Sequence, residues 1–163
     1  MTGTAIYLDT NALIAIVEAP ASDESGIQRL WEKGLSEENL KFHTSELSLA
    51  ELLVIPYRDR NRSLAEDYIS LFQDKDAITV HPVTSIVLDI AAVIRSGRKM
   101  KLPDAIHLAT ASYCRCSHLL TFDSGFSDLD AQSHPHRHDI TLSPVQIIRP
   151  DPASLSELSK ALQ

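Results

Sequence analysis

Five short apolar runs alternate along this chain with longer segments that carry helix signals, and this alternation restricts the fold more than any other feature. The runs are Ala5-Ile6-Tyr7-Leu8, Leu40-Lys41-Phe42-His43, Ala77-Ile78-Thr79-Val80, His118 to Phe122 and Val145 to Ile148. Each is bounded by polar or turn residues and has the length of a strand rather than a helix. Between them, Thr10 or Asn11 is expected to cap a helix through Ala12–Val17. The polar stretch Pro20-Ala21-Ser22-Asp23-Glu24 should start a second helix, reaching about Glu38. Thr44-Ser45 should cap a third that stops at Pro56, and a fourth covers about Arg62–Gln73. Thr84 opens the next, through Ser96, with Gly97 ending it. Pro103 marks the first turn of one that reaches about Arg115, since its missing N–H costs nothing there. Ser154–Leu162 reads as a final short helix.

Strands that alternate with helices predict an α/β fold with a mostly parallel sheet of about five strands, covered on both faces. At 163 residues the chain suits one core-bearing domain. That domain is expected over residues 1–150, with 151–163 as a C-terminal tail. The two cysteines, Cys114 and Cys116, fit neither a disulfide framework nor a Cys-x-x-Cys motif, so a reducing cytoplasm is expected. Ala12 to Val17 is far too short to span a bilayer, and no basic leader opens the chain.

Two of the apolar runs end at a carboxylate. Asp9 follows Leu8 and Asp123 follows Phe122. In open α/β sheets, ligands bind beyond the carboxyl ends of strands, so both acids should face one crevice. Glu51 interrupts the apolar stretch Leu47 to Ile55, where a charge is costly unless something compensates it. Glu46 competes for the same role. Five residues of helix rotate a side chain by about 140°, so the two cannot face the same way. Glu46 suits a first turn for the helix dipole alone, which leaves Glu51 as the site residue. Asp104 follows Pro103 in a first turn, where the helix terminus should stabilise its ionised form.

Gathered together, Asp9, Glu51, Asp104 and Asp123 repel, and a hard dication such as Mg²⁺ or Mn²⁺ removes that repulsion. Such ions hydrolyse phosphodiesters by activating water and stabilising the leaving oxygen. The formal charge of −7, from 22 acids and 15 basic residues, argues against a nucleic-acid binder if taken alone. With four acids bound to cations, 18 remain against 15, so the global charge discriminates little.

Four segments then carry a family resemblance. Leu8-Asp9-Thr10-Asn11 resembles the opening motif of PIN-domain nucleases, above all the VapC-type toxins. Thr44-Ser45 with Ala50-Glu51-Leu52 looks like their second motif. Leu102-Pro103-Asp104-Ala105-Ile106-His107-Leu108-Ala109-Thr110-Ala111 is similar to the third and most specific. Leu120-Thr121-Phe122-Asp123-Ser124-Gly125-Phe126 resembles the fourth. The order and spacing hold from residue 5 to about 150. The resemblance implies a three-layer α/β/α sandwich and a Mg²⁺- or Mn²⁺-dependent endoribonuclease acting on structured RNA. It assigns metal coordination to Asp9, Glu51, Asp104 and Asp123, with Thr10, Asn11 and Thr121 orienting carboxylates or water. It also implies a homodimer held inactive by a cognate antitoxin. The His-rich segment 134–138 and the tail after Pro150 match no motif.

Arg95, Arg98, Lys99 and Lys101 put four positive charges just before Asp104 and are candidate contacts to the RNA backbone. Arg58, Arg60 and Arg62 read as surface. His134, His136 and His138 are expected in a flexible surface loop, a shared metal-binding face being the alternative. His107, one turn after Asp104, reads equally as a neighbour of the site or as a structural histidine. Tyr7, Trp31, Phe42 and Tyr68 are expected to pack in the core. Three rival functions stand beside the nuclease. An aspartyl-nucleophile phosphohydrolase wants an acid where Asn11 stands. A catalytically silent binding module has no use for repelling carboxylates. A metal-dependent DNase is poorly separated by sequence.

Overall fold

A computed structural model describes residues 3–19, 22 and 25–161. In chain order it contains β1 (Thr4–Leu8), α1 (Thr10–Val17), α2 (Ile27–Ser36), β2 (Leu40–Ser45), α3 (Glu46–Leu52), α4 (Val54–Arg58) and α5 (Arg62–Gln73). There follow β3 (Thr79–His81), α6 (Ser85–Gly97), α7 (Leu102–Tyr113), β4 (His118–Leu120), β5 (Gln132–Ser133), β6 (Thr141–Leu142), β7 (Gln146–Ile148) and α8 (Pro152–Ala161).

Five strands form one sheet in the order β3-β2-β1-β4-β7, and every pairing in it is parallel. β1 is its centre, and Ile6, Tyr7 and Leu8 are wholly buried there. Alternation along the strand splits them between two cores. Ile6 and Leu8 pack with Leu13, Ile27, Phe42 and Tyr68 from α1, α2, β2 and α5, joined by Leu155 and Leu158 of α8. Tyr7 faces the other way, into Ile90, Ile94, Leu108 and Ala109 of α6 and α7. The result is a three-layer α/β/α sandwich. From β1 the chain builds outward through β2 and β3, then crosses back to place β4 on the other side of β1. The order of strands therefore reverses between β1 and β4, which opens a crevice at their carboxyl ends.

Several local expectations are corrected. α1 is capped by Asp9, not by Thr10 or Asn11: the Asp9 carboxylate accepts the Ala12 N–H at 2.9 Å. Of the stretch expected to start the second helix, Pro20, Ala21, Asp23 and Glu24 lie outside the described residues, and α2 begins only at Ile27. Thr44 and Ser45 continue β2, and Ser45 stands at the N-cap of α3 without a side-chain cap bond, because their hydroxyls have tertiary partners. The Thr44 hydroxyl donates to the Leu8 carbonyl at 2.9 Å, and Ser45 Oγ accepts from Tyr7 at 3.0 Å. The next helix breaks at Leu53 rather than at Pro56. Pro56 is the third residue of α4, inside the first turn, where no N–H is needed. β4 ends at Leu120, two residues short of the expected strand end.

The His-rich segment connects a short antiparallel hairpin of β5 and β6 and is pinned rather than loose. His134 is buried, and its Nδ1 accepts the backbone N–H of His136 at 3.1 Å and of Arg137 at 3.0 Å. Nε2 therefore carries the proton and lies 3.2 Å from Asp89 of α6. His136 and His138 are exposed, so the three do not share a face.

Gly34, inside α2, is fixed by packing. A Cβ there would stand 2.1 Å from the Phe42 ring, which stacks on Trp31 at a centroid distance of 4.9 Å. Gly34→Ala is expected to lower stability by about 1–3 kcal/mol despite its better helix propensity, because a buried ring must move. Urea denaturation checks this; an unchanged or raised midpoint would refute the packing argument.

Candidate active site

The crevice at the end of β1 and β4 is a cleft of about 160 Å³ lined by Asp9, Glu51, Asp104 and Asp123, together with Thr10, Asn11 and His107. Asp9 leaves β1 and starts α1, so its position is set by strand and helix at once. It is 4% exposed, and burial raises its carboxyl pKa above the usual range. Hydrogen bonds from the Thr121 hydroxyl and the Ala12 N–H, with the charge of His107, oppose that rise, and Asp123 adds to it. Thr121 in turn accepts the Asp123 N–H at 3.0 Å, and Asp123 Oδ1 accepts the Gly125 N–H at 2.7 Å. Thr121 thus links the Asp9 carboxylate to the backbone of Asp123.

Glu51 sits in the last turn of α3, and Glu46 of the same helix is exposed, away from the cleft. One oxygen of Glu51, Oε2, takes the Thr10 hydroxyl and the Nε2–H of His107, the latter at 3.0 Å. The bond from His107 is the chief reason its pKa lies below the ordinary value, with burial opposing. Asp104 behaves contrary to expectation. Its place in the first turn of α7 should favour the anion, yet its pKa is raised, by desolvation first and by Asp123 next. A terminal dipole typically contributes about 0.3–1 kcal/mol and is here outweighed by losing water beside other anions.

His107 is the residue that sequence left undecided. It is 2% exposed and joins α7 to both α3 and β1, with Nδ1 2.8 Å from the Tyr7 hydroxyl. The usable signal was its position three residues after Asp104, which puts both on one side of the helix. The four candidate RNA contacts do not line the cleft. Arg95 donates to the Met100 carbonyl, and Arg98 bonds the Ser127 and Asp128 carbonyls, holding the α6–α7 connection against the loop after Asp123. Lys99 and Lys101 are exposed.

A family profile described as PIN domain matches residues 6–132, most of the chain and all four acids. The chain belongs to the PIN domain family. No curated protein sequence matches it significantly. Among solved structures, this PIN domain is similar to VapBC2 of Rickettsia felis bound to a promoter DNA fragment, at 16% identity and a TM-score of 0.58, over 74% of this chain and 89% of that one. It is also similar to the sarcin–ricin-loop-cleaving toxin VapC20 of Mycobacterium tuberculosis, at 21% identity and a TM-score of 0.56, over 73% and 90%. VapBC-5 of Mycobacterium tuberculosis, a toxin–antitoxin system, matches over 90% of this chain and 98% of its own at 21% identity and a TM-score of 0.53. At these identities the likeness is one of fold.

The donor set of the PIN domain cleft is anionic oxygen, which hard divalent cations take up. Among the described residues, no three acidic, histidine or cysteine side chains converge closely enough to hold one ion as they stand. The set fits a dication in chemistry, since Asp123 raises the pKa of both Asp9 and Asp104, and a cation relieves that repulsion.

Because folding raises the Asp9 pKa, its contribution to stability is full below the unfolded carboxylate pKa and is lost as pH rises through the folded value. Asp9→Asn keeps an oxygen for the cap and removes the charge. In EDTA, its Tm should gain on the parent increasingly as pH climbs from about 4 to 7. A difference that stays flat or shrinks across that range would contradict the burial argument.

Proposed function

We propose that this PIN domain protein is a divalent-metal-dependent endoribonuclease and the toxin of a toxin–antitoxin pair. The observation that carries the reading is the gathering of four carboxylates, distant in sequence, in one small cleft at the switch point of the sheet. Asp9, Glu51, Asp104 and Asp123 are the proposed holders of Mg²⁺ or Mn²⁺. A cation bound there supplies positive charge against phosphodiester oxygens and makes a water acidic enough to attack near neutral pH.

The chain's own residues prepare for this by fixing carboxylates before any ligand arrives. The Ala12 N–H and the Thr121 hydroxyl hold Asp9, and Thr10 holds Glu51. Asn11 lines the same cleft with an exposed amide suited to orienting water or substrate. Lys99 and Lys101 are the exposed cations nearest in sequence to Asp104 and the proposed contacts to RNA phosphates; Arg95 and Arg98 are already engaged with backbone carbonyls. The likeness to an RNA-cleaving toxin and to toxin–antitoxin complexes supports RNA as substrate and an antitoxin as partner. A homodimer is proposed on the same family grounds. Among the described residues no helix is long and apolar enough to cross a membrane, and the cytoplasm is the proposed site of action.

Purified protein incubated with total RNA is expected to give discrete cleavage in Mg²⁺ or Mn²⁺ and none in EDTA. Asp104→Asn should reduce cleavage at least about 100-fold, the scale of removing one preorganised charge. A parallel incubation with single-stranded DNA separates ribonuclease from deoxyribonuclease. Cleavage that persists in both EDTA and Asp104→Asn rejects the mechanism.

A further inference from the structure

Behind Glu51 lies a buried polar chain formed by Tyr7 and His107. Tyr7 is wholly buried in the middle of β1, where phenylalanine would fill the same space without a hydroxyl to satisfy. Its hydroxyl instead meets two partners, Ser45 Oγ of β2 at 3.0 Å and His107 Nδ1 of α7 at 2.8 Å. His107 continues the chain through Nε2 to Glu51 Oε2 at 3.0 Å. A carboxylate only accepts, so the proton on that side belongs to Nε2. The Tyr7 hydroxyl, which donates to Ser45 Oγ, faces Nδ1 on the other side of the ring, and the Nε2–H is aimed at Glu51.

The geometry points to Tyr7 and His107 as positioning residues that present Glu51 to the cleft with one oxygen engaged and the other free. Thr10 and His107 both converge on Oε2, and among the described residues Oε1 accepts no hydrogen bond. Glu51 is partly exposed at the cleft, with 32% of its side chain accessible, whereas His107 shows only 3%. The histidine thus acts from behind the carboxylate and not on a substrate. Without it, a glutamate on the short α3 keeps only Thr10 to fix its rotamer. A carboxylate held by an N–H behind it is a better-oriented ligand, and losing such support weakens metal binding about 10–100-fold in metal sites generally.

This inference rests on the proposed metal site, and its test separates the two. Mn²⁺ affinity is measured by titration calorimetry on the full chain, beside kcat and KM for RNA and a thermal melt. His107→Ala is expected to weaken Mn²⁺ binding about 10–100-fold and to lower kcat with KM little changed. His107→Gln, whose side-chain N–H can reach Glu51 from the Nε2 position, should recover most of both. Tyr7→Phe removes only the remote hydroxyl and should give a smaller loss in the same direction. A folded His107→Ala with parental Mn²⁺ affinity and kcat overturns the proposal. So does a folded His107→Gln no better than the alanine. If the parent binds Mn²⁺ but cuts no RNA, the variant affinities still decide the positioning role and only the ribonuclease reading falls. If the parent binds no Mn²⁺, both fall.

Discussion

The cleft depends on keeping the carboxylate of Asp9 buried at the carboxyl end of the central strand. The residue is 4% exposed, and an anion so placed is stable only with compensation. One compensation is local, the amide of Ala12 in the first turn of α1. Another comes from the residue just beyond β4, through the hydroxyl of Thr121. Capping a helix and facing a cleft are therefore not rival roles for Asp9. The bond that starts α1 holds one carboxylate oxygen and fixes the side chain at the sheet edge.

The same economy runs through the other acids. Asp123 takes the Gly125 amide as an ordinary turn residue does, and the turn sets it opposite Asp104 closely enough to raise that carboxyl's pKa. Asp104 stands in the first turn of α7, and the connection leading into that helix is pinned by Arg98 to the loop that follows Asp123. The positions of Asp9, Asp104 and Asp123 thus follow from one packing arrangement.

Much of this was legible in the sequence because it depends on short-range rules. The apolar runs and the cap of α6 obey local periodicity and turn chemistry, and Thr84 caps as such residues do. Glu51 could be preferred over Glu46 because helical rotation is a fixed angle. Other features resisted because a distant partner overrode a local preference. Thr44 and Ser45 are good caps in isolation, yet Leu8 and Tyr7 claim their hydroxyls and β2 runs on. The His-rich segment looked loose because its own backbone closes on a His134 ring that is buried only once α6 packs beside it.

By itself, the sequence determined the approximate places of the five sheet strands and of most helices, and that acids stand just beyond β1 and β4, since each follows from neighbours a few positions away. The tertiary structure alone decided the ionisation preference of Asp104, the engagement of Arg95 and Arg98 with backbone carbonyls, and the union of Tyr7, His107 and Glu51 in one hydrogen-bonded chain. Desolvation and long-range hydrogen bonds depend on what packs across the sheet, and the proximity of residues 7, 51 and 107 exists only after the chain has closed on itself.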